Sequence, residues 1–115
     1  MIKIKNLTHY YNQDKALDNI NLEINNSEFI CFIGESGSGK STLLSILSTL
    51  LKPTSADVYF NNLNYKDIQN IDKFRKENIG FIFQCHYLIN YLTVKENIKL
   101  ANKKAKYDEI KTLLS

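Results

Sequence analysis

The run Gly34-Glu35-Ser36-Gly37-Ser38-Gly39-Lys40-Ser41-Thr42 constrains this chain more than any other stretch. It fits G-x-x-x-x-G-K-[ST], the pattern of a loop that cradles phosphate. Gly34, Gly37 and Gly39 lack a Cβ, so the backbone can take positive φ and lie close against an anion. Successive N–H groups in such a loop form an anion nest. The helix that follows brings its positive end to the same point. Lys40 would carry a mobile point charge to the β- and γ-phosphates of a nucleotide. Ser41 would offer a hydroxyl to Mg2+, and Thr42 could reach the α-phosphate. With glycine near ~7% of residues, a chance match is on the order of one in a few hundred. The competing explanation is a plain Gly/Ser turn. The flanks favour the loop. Phe29-Ile30-Cys31-Phe32-Ile33 is continuously apolar, as a buried parallel strand is. Lys40 to Leu51 carries Leu43, Leu44, Ile46, Leu47, Leu50 and Leu51 at helical spacing.

A chain of 115 residues is one domain or part of one. Its 43% hydrophobic and 11% aromatic content is that of a folded protein. The net charge of +3 is too small to imply a nucleic-acid partner. Lys95, Lys99, Lys103, Lys104, Lys106 and Lys111 gather late in the chain, on a solvated helix face or near an anionic membrane surface. Cys31 and Cys85 have no C-x-x-C partner and read as buried, reduced thiols of a cytosolic protein. Met1-Ile2-Lys3-Ile4-Lys5 is no signal peptide, and no apolar stretch approaches the length of a membrane span.

Alternation of Ile2 and Ile4 with polar neighbours predicts a strand from about Ile2 to Tyr10. Asp18 interrupts any earlier alternation, so the second strand is expected over Ile20, Leu22 and Ile24, making an antiparallel hairpin. Tyr10 and Tyr11 end the first strand, as base-stacking rings or as ordinary strand tyrosines. Pro53 is expected to end the loop helix. A short strand at Asp57–Phe60 and a turn at Asn61-Asn62 follow. Ile68 to Glu77 reads as a helix, with Ile68, Ile71, Phe74 and Arg75 on one side. Ile79-Gly80-Phe81-Ile82-Phe83 reads as a core strand ending in Gln84. Thr93 and Glu96 form a capping-box pattern for a helix to about Asn102, and Asp108 to Leu114 begins another.

Together these pieces resemble the N-terminal portion of an ABC transporter ATPase subunit. Asn6-Leu7-Thr8-His9-Tyr10-Tyr11 resembles the family's opening, and Tyr11 matches the aromatic that stacks on adenine. Leu17 to Ile24 resembles the second strand. Gly34 to Thr42 matches Walker A, and Leu51-Lys52-Pro53-Thr54-Ser55 matches the segment after its helix. Ile79 to Gln84 matches the strand ending in the Q-loop glutamine, and Leu92 to Ile98 the lead into the helical subdomain. Gln84-Cys85-His86-Tyr87-Leu88 is similar to the lipoprotein-export and macrolide-export branch. Ser27 and Ala56 stand where the family has glycine, so both turns are expected to be strained.

The resemblance implies an α/β P-loop NTPase fold of the ABC ATPase type, with antiparallel N-terminal strands beside the P-loop core. Residues 1–84 would belong to the core subdomain and 85–115 to the Q-loop and the start of the helical subdomain. It implies ATP and Mg2+ as ligands. Tyr11, Gly34, Glu35, Ser36, Gly37, Ser38, Gly39, Lys40, Ser41, Thr42 and Gln84 would hold the nucleotide, with Ser41 and Gln84 on the metal. It implies a transmembrane subunit and a second, head-to-tail ATPase subunit as partners, at the cytoplasmic face of a membrane. No signature motif, Walker B pair or switch histidine occurs in these residues, and His9 and His86 stand elsewhere. The expectation is therefore a chain cut before those motifs. It would lack a catalytic glutamate and bind ATP without hydrolysing it. Strands 29–33 and 79–83 would then keep bare edges, leaving the chain marginally stable and prone to aggregate. The alternative is a non-catalytic fragment that binds nucleotide weakly or competes for the membrane subunit. A GTPase is disfavoured, because Asn102-Lys103-Lys104-Ala105 lacks the aspartate that reads guanine.

Overall fold

Asparagine shapes the first sheet. In the computed structural model, which describes residues 1–84 and 88–101, strands β1 (Ile2–Tyr11) and β2 (Asp14–Ile24) pair antiparallel. Asn12, at φ 55°, opens the turn between them. Asn6 and Asn19 also take positive φ, at 52° and 49°, where the pairing register shifts. Asparagine tolerates this region better than other side chains do. Each acts as a bulge residue that changes the parity of its strand. Ile4 and Leu7 thus share the buried face despite a spacing of three, and so do Leu17 and Ile20. The apparent break at Asp18 is this bulge, so β2 begins at Asp14 rather than Ile20.

Strand β3 (Ser55–Phe60) joins the free side of β1, and β4 (Leu63–Asn64) pairs with β3, giving the order β2-β1-β3-β4. Asn61 and Asn62, both at positive φ, make the two-residue turn a twisted hairpin needs. Ala56 lies in β3 without positive φ, so its expected strain is absent. Ser27 does adopt φ 63°.

Helix α1 (Lys40–Leu47) covers one face of the sheet. Its Leu43 and Ile46 join Ile4, Leu7, Leu17 and Val58 in the core. The helix stops at Leu47, short of the expected Leu51. Thr49 turns left-handed at φ 67°, and the amides of Leu50 and Leu51 both donate back to the Ser45 carbonyl. The turn is held from a distance: Arg75 donates to the Thr49 hydroxyl and carbonyl, each at 2.8 Å. Tyr65 donates to the Leu47 carbonyl at 2.7 Å, and burial pushes its phenol up to about 12. Helix α2 (Ile71–Asn78) follows a 3-10 turn at Tyr65–Asp67. It starts later than Ile68 because Asn70 is extended and accepts the Lys73 amide as an N-cap.

Neither expected core strand forms a ladder. Residues 29–33 and 79–83 run without strand pairing, and Phe29, Ile33 and Ile82 are almost fully exposed. Only Phe32 of the first run packs against the core. A parallel strand needs non-local neighbours on both edges, and no described segment provides them. Cys31 is consequently exposed, not buried.

Met1–Ile79 and Gly80–Ser115 are two compact units. In the second, helix α3 (Val94–Ala101) opens on the expected capping box. The Glu96 amide donates to Thr93 Oγ1 at 3.1 Å, and the Thr93 amide donates to Glu96 Oε2 at 2.8 Å. Asn97 accepts the Ile89 amide and donates to the Thr93 carbonyl, tying the preceding loop to the helix. No described helix is long and apolar enough to cross a membrane. Cys85, His86, Tyr87, the lysines after Lys99 and the expected helix at 108–114 lie outside the described residues.

Candidate phosphate-binding site

The glycine loop runs from the end of the extended segment at Ile33 into the first turn of α1. Gly37 and Gly39 occupy the left-handed region at φ 81° and 94°. A Cβ on Gly39 would lie 2.7 Å from both the Ala16 carbonyl oxygen and Leu17 Cδ2, so the loop backbone sits hard against β2. Gly34 is also confined, since a Cβ there would approach Ser38 Oγ to 2.6 Å. The Ser38 amide donates to the Glu35 carbonyl at 3.1 Å and closes the turn through Ser36 and Gly37.

Lys40 folds back over this turn. Its ammonium donates to the Gly34 carbonyl, to the Glu35 carbonyl at 2.7 Å and to Ser38 Oγ at 3.2 Å. These bonds hold the loop around a positive charge. The first bond of α1 runs from the Leu43 amide to the Gly39 carbonyl, and no side chain caps the helix. The first-turn amides of Lys40, Ser41 and Thr42 therefore lack intrahelical partners and face the loop end with the positive pole of the helix. No acidic side chain stands in that turn to compete with an anion. Glycines, ammonium and uncapped amides make a donor set suited to a polyphosphate.

Tyr11 reaches the same place. Its hydroxyl is 3.2 Å from Thr42 Oγ1, and its ring is about half exposed. The structure thus brings together Tyr11, Gly34, Lys40 and Thr42, with Ser41 exposed on the first turn. Glu35, Ser36, Gly37 and Ser38 form the exposed rim. Gln84, exposed, belongs to the second unit. Among the described residues, no group of three or more His, Cys, Asp or Glu side chains converges as a metal site. A cavity of about 640 Å³ does exist in the first unit, but it is lined by residues such as Lys5, Lys52 and Tyr65 and by none of the loop residues.

His9, to which the sequence assigns no role, also stands at this site. It is buried, and its ring stands nearly perpendicular to that of Tyr11, with centroids 4.8 Å apart. The only signal in the sequence was strand parity, which puts residues two apart on one face.

Comparison with known proteins agrees with this geometry. The family model for the ABC transporter matches residues 17–115. An uncharacterized ABC transporter ATP-binding protein of Methanocaldococcus jannaschii is 44% identical over 106 residues, covering 87% of this chain and 45% of that protein. The lipoprotein-releasing system ATP-binding protein of Wigglesworthia glossinidia brevipalpis is 42% identical over 106 residues, covering 87% and 46%. A solved dimeric ATP-binding cassette in a post-hydrolysis state, bound to ADP and Pi, superposes with a TM-score of 0.82 at 38% identity. That match covers 97% of this chain and 53% of the other. The chain spans about half the length of these relatives.

Proposed function

The chain belongs to the ABC transporter family, among its ATP-binding proteins, and from that premise we propose that Gly34–Thr42 grips the triphosphate of ATP. The observation that carries this reading is the Lys40 ammonium held inside a glycine loop at an uncapped helix start. On binding, Lys40 exchanges the loop carbonyls for phosphate oxygens, and the amides around Gly39 take the negative charge. Thr42 faces the α-phosphate, and Tyr11 stacks on adenine. Ser41 would offer its hydroxyl to Mg2+, which would supply charge neutralisation to the phosphates there. By its match to the Q-loop glutamine, Gln84 would be a second protein group for that ion and would link the γ-phosphate to the coupling contact.

In this reading residues 1–84 are the nucleotide-binding core, and 85–115 lead into the part that meets a membrane subunit. The likeness to a dimeric cassette and to lipoprotein-releasing and macrolide-export proteins supports a head-to-tail partner and a transmembrane partner at the cytoplasmic face. Residues 1–115 carry the phosphate grip but no Walker B pair, so these residues by themselves are expected to bind ATP without hydrolysing it.

ATP titration of the parent and of Lys40→Ala tests the reading. Loss of the ammonium is expected to weaken binding by about tenfold or more, since charge-assisted bonds to phosphate are the strong ones. Equal affinity in the two proteins would sink it.

A further inference from the structure

Tyr11 is held at both ends. Its hydroxyl meets Thr42 Oγ1, and its ring meets His9. His9 is itself locked. Only 6% of it is exposed, and its Nδ1 accepts the Thr54 amide at 3.2 Å. That bond fixes the ring's orientation, with Nδ1 as the acceptor. Thr54 in turn accepts the Tyr10 amide on its hydroxyl at 3.0 Å, so the segment before β3 clamps the end of β1. The His9 ring therefore cannot swing away from Tyr11. Perpendicular aromatic pairs at this separation are attractive beyond simple burial.

We propose that His9 is a positioning residue for nucleotide binding: it pre-sets the Tyr11 ring as a platform for the base. It acts through Tyr11 and touches no phosphate. Holding the ring before the base arrives spares the cost of ordering it on binding. The contribution is thus confined to ligands that carry a base. This inference rests on the nucleotide reading above.

The test compares ATP with inorganic tripolyphosphate, which has the phosphates and no base. Both are titrated with Mg2+ against the full 115-residue chain and its His9→Leu and His9→Phe variants. His9→Leu is expected to weaken ATP by about two- to tenfold, the range for one aromatic pair, and to leave tripolyphosphate unchanged. His9→Phe keeps a ring against Tyr11 but loses the Thr54 bond, and is expected to recover part of the ATP affinity. Equal loss of both ligands in His9→Leu would mean a merely structural histidine and would overturn the proposal. So would unchanged ATP affinity, or no recovery in His9→Phe. Those outcomes leave the loop's grip on phosphate standing, whereas a parent chain that binds neither ligand removes both.

Discussion

Strand β1 and the run at 29–33 are both apolar segments of the first unit, yet they end in opposite conditions. β1 is paired on both edges, and Ile4 and Leu7 are buried to 2% and 0% exposure. The second run is the more hydrophobic of the two, yet Phe29 and Ile33 are 98% and 92% exposed. Hydrophobicity did not decide the difference. β1 finds one neighbour across a two-residue turn and the other at β3, both antiparallel. The run at 29–33 is built to be covered on both faces and both edges, and that requires parallel neighbours brought from a distance. What the run does within the unit is anchor the glycine loop through Phe32, while the loop is shaped by Gly39 against β2.

The sharpest way to break this comparison is to cut the same kind of side chain from each segment. Leu7→Ala removes a fully buried group and is expected to cost about 2–5 kcal/mol of unfolding free energy. Ile33→Ala removes an exposed one and should stay within about 0.5 kcal/mol. Urea denaturation of the two variants measures both. A large cost at Ile33 would mean the run is packed in solution and the contrast is false.

Tyr65 sharpens the account of what holds α1 to the rest of the unit. Its hydroxyl satisfies the Leu47 carbonyl at the helix end, and its ring packs on Phe74. Burial raises its folded pKa to about 12, above the ordinary value of 10.0. Between those values the unfolded chain has lost the phenolic proton and the folded chain keeps it, so folding weakens as pH rises. The contribution is complete below about pH 10 and is lost as pH climbs through about 12. Tyr65→Phe is expected to cost about 1–3 kcal/mol at neutral pH, through the carbonyl left unbonded. It should also flatten the alkaline fall in melting temperature. A variant with the parent's alkaline slope would show that another group titrates there.

Features written in local chemistry were legible in the sequence. The glycine loop, the start of α1 at Lys40 and the Thr93–Glu96 box depend on residues a few positions apart, and each stands where it was expected. What the sequence concealed depends on distant partners. α1 ends at Leu47 because Arg75, 26 residues on, fixes a left-handed Thr49. β2 begins at Asp14 because a bulge at Asn19 restores its parity. His9 stands in the segment that resembles the family's opening but has no role there, and only the fold sets its ring on Tyr11.

The smallest effect lies at the junction between the two segments. Ser27 turns the chain from the end of β2 toward 29–33 at φ 63°, a region where an L-residue other than asparagine is strained. The same turn is held by Glu28, whose carboxylate accepts the Asn25 amide and side chain. Ser27→Gly removes the Cβ clash and leaves those bonds intact. It also adds freedom to the unfolded chain, which offsets part of the gain. The net is expected to be a stabilisation of about 0.5–1 kcal/mol, read as a shift in the urea midpoint at unchanged slope. Ser27→Ala keeps the Cβ and should show no such gain. If glycine and alanine behave alike, the turn is not strained, and the exposure of 29–33 owes nothing to how the chain leaves β2.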